Sequence, residues 1–90
     1  MSNPFSVQVT YRKGLPFAAY IYFQRKPGQR SVRTERVSSD VLIDYSADGT
    51  PLGIEVVSPG HVTLEEINQA FDRIGLQRPE PRDLEPLKAA

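Results

Sequence analysis

The stretch Asp44-Tyr-Ser-Ala-Asp-Gly-Thr-Pro-Leu-Gly-Ile-Glu55, DYSADGTPLGIE, supports two readings that lead to different folds. Asp44, Ser46, Asp48 and Glu55 stand at positions 1, 3, 5 and 12, with Gly49 at position 6. That is the ligand spacing of an EF-hand calcium loop. An EF-hand, however, needs a helix on each side to hold its ligands in place. Here the residues before the loop are the β-branched and apolar run Val41-Leu-Ile43, and those after it reach Pro59 and Gly60 before a helix could form. Pro51 also fills position 8, where a calcium loop carries an aliphatic residue that pairs with a second loop. The stretch therefore reads as a β-hairpin around Asp48-Gly49, and no metal is expected.

Asp-Gly between alternating apolar residues is a strong hairpin signal, because both central residues of a type I′ turn need positive φ. A two-residue turn pairs Tyr45 with Leu52, Ile43 with Ile54 and Val41 with Val56. A four-residue loop from Ser46 to Gly49 shifts the register by two residues and leaves the same side chains on the same face. Upstream, Phe5 to Tyr11 alternates apolar and polar residues and predicts a first strand. Phe17 to Phe23 predicts a second, nearly all apolar, with Phe17, Ala19, Ile21 and Phe23 on one face and Tyr20 and Tyr22 on the other. A basic turn, RKPGQR, separates it from a polar third strand over 31–37 suited to an edge.

Downstream, the period changes from two to about three and a half. Thr63-Leu-Glu-Glu66 is a capping box, flanked by Val62 and Ile67 as a hydrophobic staple. Leu64, Ile67, Ala70, Phe71 and Ile74 form one apolar stripe, and Gly75 ends the helix in the left-handed conformation. The expected fold is α+β: an antiparallel sheet of four or five strands in meander order, with one C-terminal helix packed on one face. Residues 1–76 form the single domain, and 77–90, with Pro79, Pro81 and Pro86, read as a flexible tail in which Leu84 and Leu87 serve as anchors for a partner.

A chain of 90 residues suits one small domain. It contains no cysteine, which excludes a disulfide scaffold or a thiolate zinc site and agrees with a cytoplasmic location. No apolar run approaches the roughly 20 residues of a membrane span, so the expectation is a soluble protein without membrane contact. The net charge is zero but unevenly distributed: residues 1–36 carry +6 and the remainder −6. That asymmetry suits a nucleic-acid surface on the basic half or complementary surfaces within or between chains.

The hairpin, together with Ala19-Tyr-Ile-Tyr22 and the polar strand between them, resembles the YuzE-like family of small bacterial proteins, domain of unknown function 2283. The resemblance spans Tyr11 to Val57, and its most specific part is the DG…GIE hairpin. It implies a compact antiparallel sheet with a helix, bacterial origin, no assigned catalysis and, from relatives encoded beside small toxin-like proteins, an antitoxin or binding role. This chain differs from the family pattern in carrying Arg12 and Ala18 where acidic residues are frequent, and Pro51 at a strand start.

Little in the sequence points to chemistry. His61 is the only histidine, and it adjoins a helix start, where a solvated ring is ordinary. Pairs among Asp40, Asp44 and Glu55 supply carboxylates for acid and base work, but no cleft is indicated. The six glycines are scattered, with no phosphate-binding loop among them, and no cofactor is expected. The expected function is therefore non-catalytic protein binding, as an antitoxin-like partner of a small toxin or by homodimerisation. Nucleic-acid binding, through Tyr20 and Tyr22 beside Arg33, Arg36 and the basic loop, is the alternative, and a small enzyme using strand carboxylates a weaker one. The candidate partner-binding residues are Tyr20, Tyr22, Arg25, Lys26, Arg30, Arg33, Leu84 and Leu87.

Overall fold

The computed structural model of the chain describes residues 5–24 and 26–88. Five strands, β1 (Phe5–Arg12), β2 (Leu15–Phe23), β3 (Arg33–Ser38), β4 (Val41–Tyr45) and β5 (Pro51–Val56), form one antiparallel sheet. Helix α1 (Leu64–Arg73) packs on one face, as expected of an α+β domain.

The strand order is β1-β2-β5-β4-β3, which corrects the expected meander. The chain leaves β2 at Phe23 and re-enters the sheet at Arg33, on its far edge. It then returns through β4 and β5, and β5 closes against β2. Burial gives the reason. In β5, Leu52, Gly53, Ile54 and Val56 are all buried, which only an interior strand can satisfy, whereas β3 reads Arg-Thr-Glu-Arg-Val-Ser and suits an edge. A meander would have exposed the first and buried the second.

The hairpin tip is also corrected. Ser46 N–H donates to the Thr50 carbonyl and Gly49 N–H to the Ser46 carbonyl, enclosing the three-residue loop Ala47-Asp48-Gly49. Gly49 has φ 86°, and Asp48 is not in the positive-φ region, so the loop is a type I turn closed by a left-handed glycine. The Asp48 carboxylate accepts from both the Ser46 hydroxyl and the Thr50 amide, which favours this longer loop. Ile43 still faces Ile54 and Val41 faces Val56, but Tyr45 faces Pro51, with an irregularity after Asp44. The type I′ turn occurs instead at Lys13-Gly14, where both residues have positive φ, between the paired Arg12 and Leu15.

The expected capping is present in α1. The Thr63 hydroxyl accepts from the Glu66 amide and the Glu66 carboxylate from the Thr63 amide. At the other end Gly75 N–H donates to the Asp72 carbonyl and Leu76 N–H to that of Phe71, a complete Schellman motif. Ile67, Ala70 and Phe71 are buried, and Phe71 packs edge-on to Phe5 and Phe23 with ring centroids 5.6 and 5.8 Å away. Leu64, the outermost residue of the expected stripe, is exposed.

The segment read as a flexible tail is part of the fold. A 3₁₀ turn at Pro81–Leu84 runs into the short helix α2 (Glu85–Lys88), which packs over β1 while α1 packs over β3 and β4. Leu84 and Leu87 are 1% and 4% exposed and belong to the core, so they anchor the segment to its own sheet and not to a partner. Geometry explains the correction. Five strands at about 4.8 Å spacing are about 19 Å across, and a single helix about 10 Å wide cannot cover them. Two leucines at helical spacing fill the remaining strip.

Candidate functional site

Strand alternation puts the two tyrosines on the face away from the helices. Register defines two rows across that face: Gln8, Tyr20, Glu55, Leu42 and Arg36 in one, and Ser6, Tyr22, Gly53, Asp44 and Thr34 in the other. Tyr20 leans from its own row into the second. Its hydroxyl donates to Asp44 Oδ2 at 2.8 Å, and the Thr34 hydroxyl donates to Asp44 Oδ1 at 2.7 Å. One carboxylate thus collects side chains from β2, β4 and β3, and the Tyr20 ring reaches it by passing over β5.

That passage requires Gly53. A Cβ built there would lie 2.6 Å from both Cζ and the hydroxyl oxygen of Tyr20, well inside contact distance. The tyrosine supplies the apolar cover that the glycine lacks, a cross-strand arrangement known to stabilise glycine in sheets. What approaches Gly53 is an aromatic ring. Tyr22 packs beside Tyr20 with centroids 4.4 Å apart and planes at 51°, and remains 38% exposed.

The other candidate residues do not gather around this pair. Arg33 belongs to the opposite face, where its guanidinium lies 4.1 Å over the Tyr45 ring. There Tyr45 donates to Glu35 at 3.0 Å, and Arg73 of α1 reaches the same carboxylate at 3.0 Å. The Arg73 bond and then the Tyr45 bond hold Glu35 below the usual carboxylate range, while burial and then Glu35 push the Tyr45 phenol up. Lys26 and Arg30 are exposed on the crossing loop, beside the β4–β5 tip. Arg25 lies outside the described residues. Arg36 shares the tyrosine face, and its guanidinium donates to the Ser38 and Ser39 carbonyls. The ion pairs among the described residues, Arg73–Glu35, Arg78–Asp72 and Arg82–Glu80, use none of the basic residues before Arg73.

The residues with calcium-loop spacing have separate tasks. Asp44 ties the open face together, Ser46 and Asp48 close the tip, and Glu55 stands opposite Leu42. Among the described residues no group of three His, Cys, Asp or Glu is placed to hold a metal ion, and no helix is long and apolar enough to cross a membrane. Sequence reasoning missed Thr34 and the joining role of Asp44. Tyr20 and Gly53 were each noticeable alone, but their meeting depends on β2 pairing with β5, which no local signal encodes.

The fold and this face define a small α+β domain whose five-stranded sheet is covered by helices on one side and carries a hydrogen-bonded tyrosine cluster on the other. Residues 18–58 match the model of the family described as protein of unknown function, DUF2283. The matched segment contains Tyr20, Tyr22, Thr34, Asp44 and Gly53, so the whole open-face network lies within it. Neither a curated protein nor a solved structure matches the chain.

Proposed function

We propose that this chain is a non-catalytic protein-binding module of the cytoplasm that presents its open sheet face to a partner, with Tyr22 as the central contact. The observation that carries the reading is the contrast between the two faces. Both α1 and the C-terminal segment lie on one, while the other holds a tyrosine that packs on an immobilised neighbour and stays exposed. Binding hot spots are enriched in tyrosine because an aromatic ring contributes large contact area with few torsions to freeze. Here the Tyr20–Asp44–Thr34 network orders the surface beforehand, which lowers the entropic cost of binding. A small toxin-like protein is the partner that the resemblance to the family suggests.

The test is a tagged pull-down from lysate with nuclease and a salt gradient, run in parallel with full-length wild type and Tyr22→Ala. One protein retained by the wild type through high salt and released by Tyr22→Ala supports the reading. Equal retention by both, or none by either, overturns it. Nucleic acid eluting at moderate salt and lost on changing Lys26 and Arg30 to Glu transfers the function to the crossing loop, because phosphate contacts weaken steeply with salt.

A further inference from the structure

The sheet has two edges, β1 and β3, and they are built differently. An edge strand presents unpaired N–H and C=O groups to any chain able to pair with them, and charges or bulges normally blunt it. β3 is blunted in both ways: it carries Arg33, Glu35 and Arg36, and its register shifts between Arg36 and Ser38. β1 is longer and has no charge, proline or glycine from Phe5 to Tyr11, and the register shift between Thr10 and Tyr11 puts the extra residue in β2, not in β1. No strand among the described residues pairs with its outer side.

The sequence of β1 is a chemical palindrome. Outward from Gln8 in both directions come a valine (Val7, Val9), a hydroxyl residue (Ser6, Thr10) and an aromatic (Phe5, Tyr11). Two such strands pairing antiparallel around a two-fold axis at Gln8 set like against like at every position. With that axis normal to the sheet, Val7 and Val9 stay on the helix-covered side of both copies and Ser6, Gln8 and Thr10 on the open side. The burial of β1 follows the same alternation, with Phe5, Val7 and Val9 half-buried and Ser6, Gln8 and Thr10 exposed.

We propose that this chain self-associates by antiparallel pairing of β1 with β1 of a second copy, joining two sheets into one of ten strands. Such an interface is isologous, as closed dimers require. Charge selects the antiparallel sense. About eight residues at about 3.4 Å separate the two Arg12 side chains by roughly 27 Å, beyond the screening length of about 8 Å. A parallel pair would bring them to about 5 Å. The inference goes beyond the open-face reading and does not depend on it.

Gln8 is exposed, so it can be charged without disturbing the core, and only at a two-fold centre does it face itself. Sedimentation equilibrium of the full chain over a concentration series tests the pairing, using wild type, Gln8→Lys, Gln8→Glu and their equimolar mixture, with circular dichroism to confirm folding. The expected result is a wild-type monomer–dimer equilibrium, weakened about tenfold or more in each variant alone, since facing like charges are costly, and restored in the mixture. A wild type that stays monomeric at every concentration overturns the proposal. So does a dimer indifferent to Gln8→Lys, or a mixture that associates no better than its components.

Discussion

Gly53 is enclosed by a neighbouring side chain without having one of its own. Its backbone is extended, so alanine would be tolerated conformationally and, in an empty strand, would stabilise by about 0.5–1 kcal/mol through reduced unfolded-state entropy. Tyr20 reverses that sign. A methyl group would displace the ring and break its bond to Asp44, and a hydrogen bond to a charged group contributes about 1.5–3 kcal/mol. Gly53→Ala should therefore destabilise the protein by about 1–2 kcal/mol in the wild type and be neutral or stabilising in a Tyr20→Ala background. Urea denaturation of the four proteins of this cycle measures the coupling, and simple additivity would show that ring and glycine are independent. At this scale the sequence reveals which residues are unusual, such as a glycine within a strand and a tyrosine pair on one face. It does not reveal that they touch.

The elements were legible because each carries local signals: alternation in the strands, the Thr63 box and Gly75 at the ends of α1, Asp48-Gly49 at the hairpin tip. Their limits were harder to read. The Asp48 carboxylate lengthened the hairpin loop by capping it from within, and three prolines made the C-terminal segment look unstructured. Pro81 in fact opens the 3₁₀ turn, a position where proline's missing amide costs nothing. The test of this segment is its contribution to global stability. Leu84→Ala or Leu87→Ala should each cost about 2–4 kcal/mol in urea unfolding, as deletion of a buried leucine does. A change below half a kcal/mol would mean that the segment only rests on the sheet.

For the whole molecule, strand alternation revealed the faces of the sheet, while strand order depended on which strands demand burial on both sides. That demand was visible in β5 only once its glycine was known to be covered. The charges also act collectively. Arg73 and Tyr45 hold Glu35, Ser46 and Thr50 hold Asp48, Ser38 and the Thr63 amide hold Glu66, and Arg78 holds Asp72, each below its ordinary value. A carboxyl depressed in the folded chain takes up its proton more readily when unfolded, so it stabilises the fold above its ordinary value and loses that contribution as pH falls. For Asp48 the loss runs from 3.8 down to about 2. Urea midpoints should hold between pH 7 and 5 and decline below 4, with a shallower decline in Asp48→Asn. A midpoint unchanged down to pH 2 would refute the assignment.

The crossing from β2 to β3 also bears on how the chain finds its structure in time. Two hairpins, β1–β2 and β4–β5, can each close over a short loop, and β3 joins the second over a similarly short one. Neither half holds the sheet together. The seam between them pairs Tyr22 with Gly53 and Ala19 with Val56, residues far apart along the chain, and Tyr20 reaches Asp44 only after that seam has formed. Contacts between distant residues form slowly because the intervening loop must be ordered before they contribute anything. The seam is therefore the natural rate-limiting step of folding, and the tyrosine cluster is its product: a chain that has not joined its halves has no open face to present.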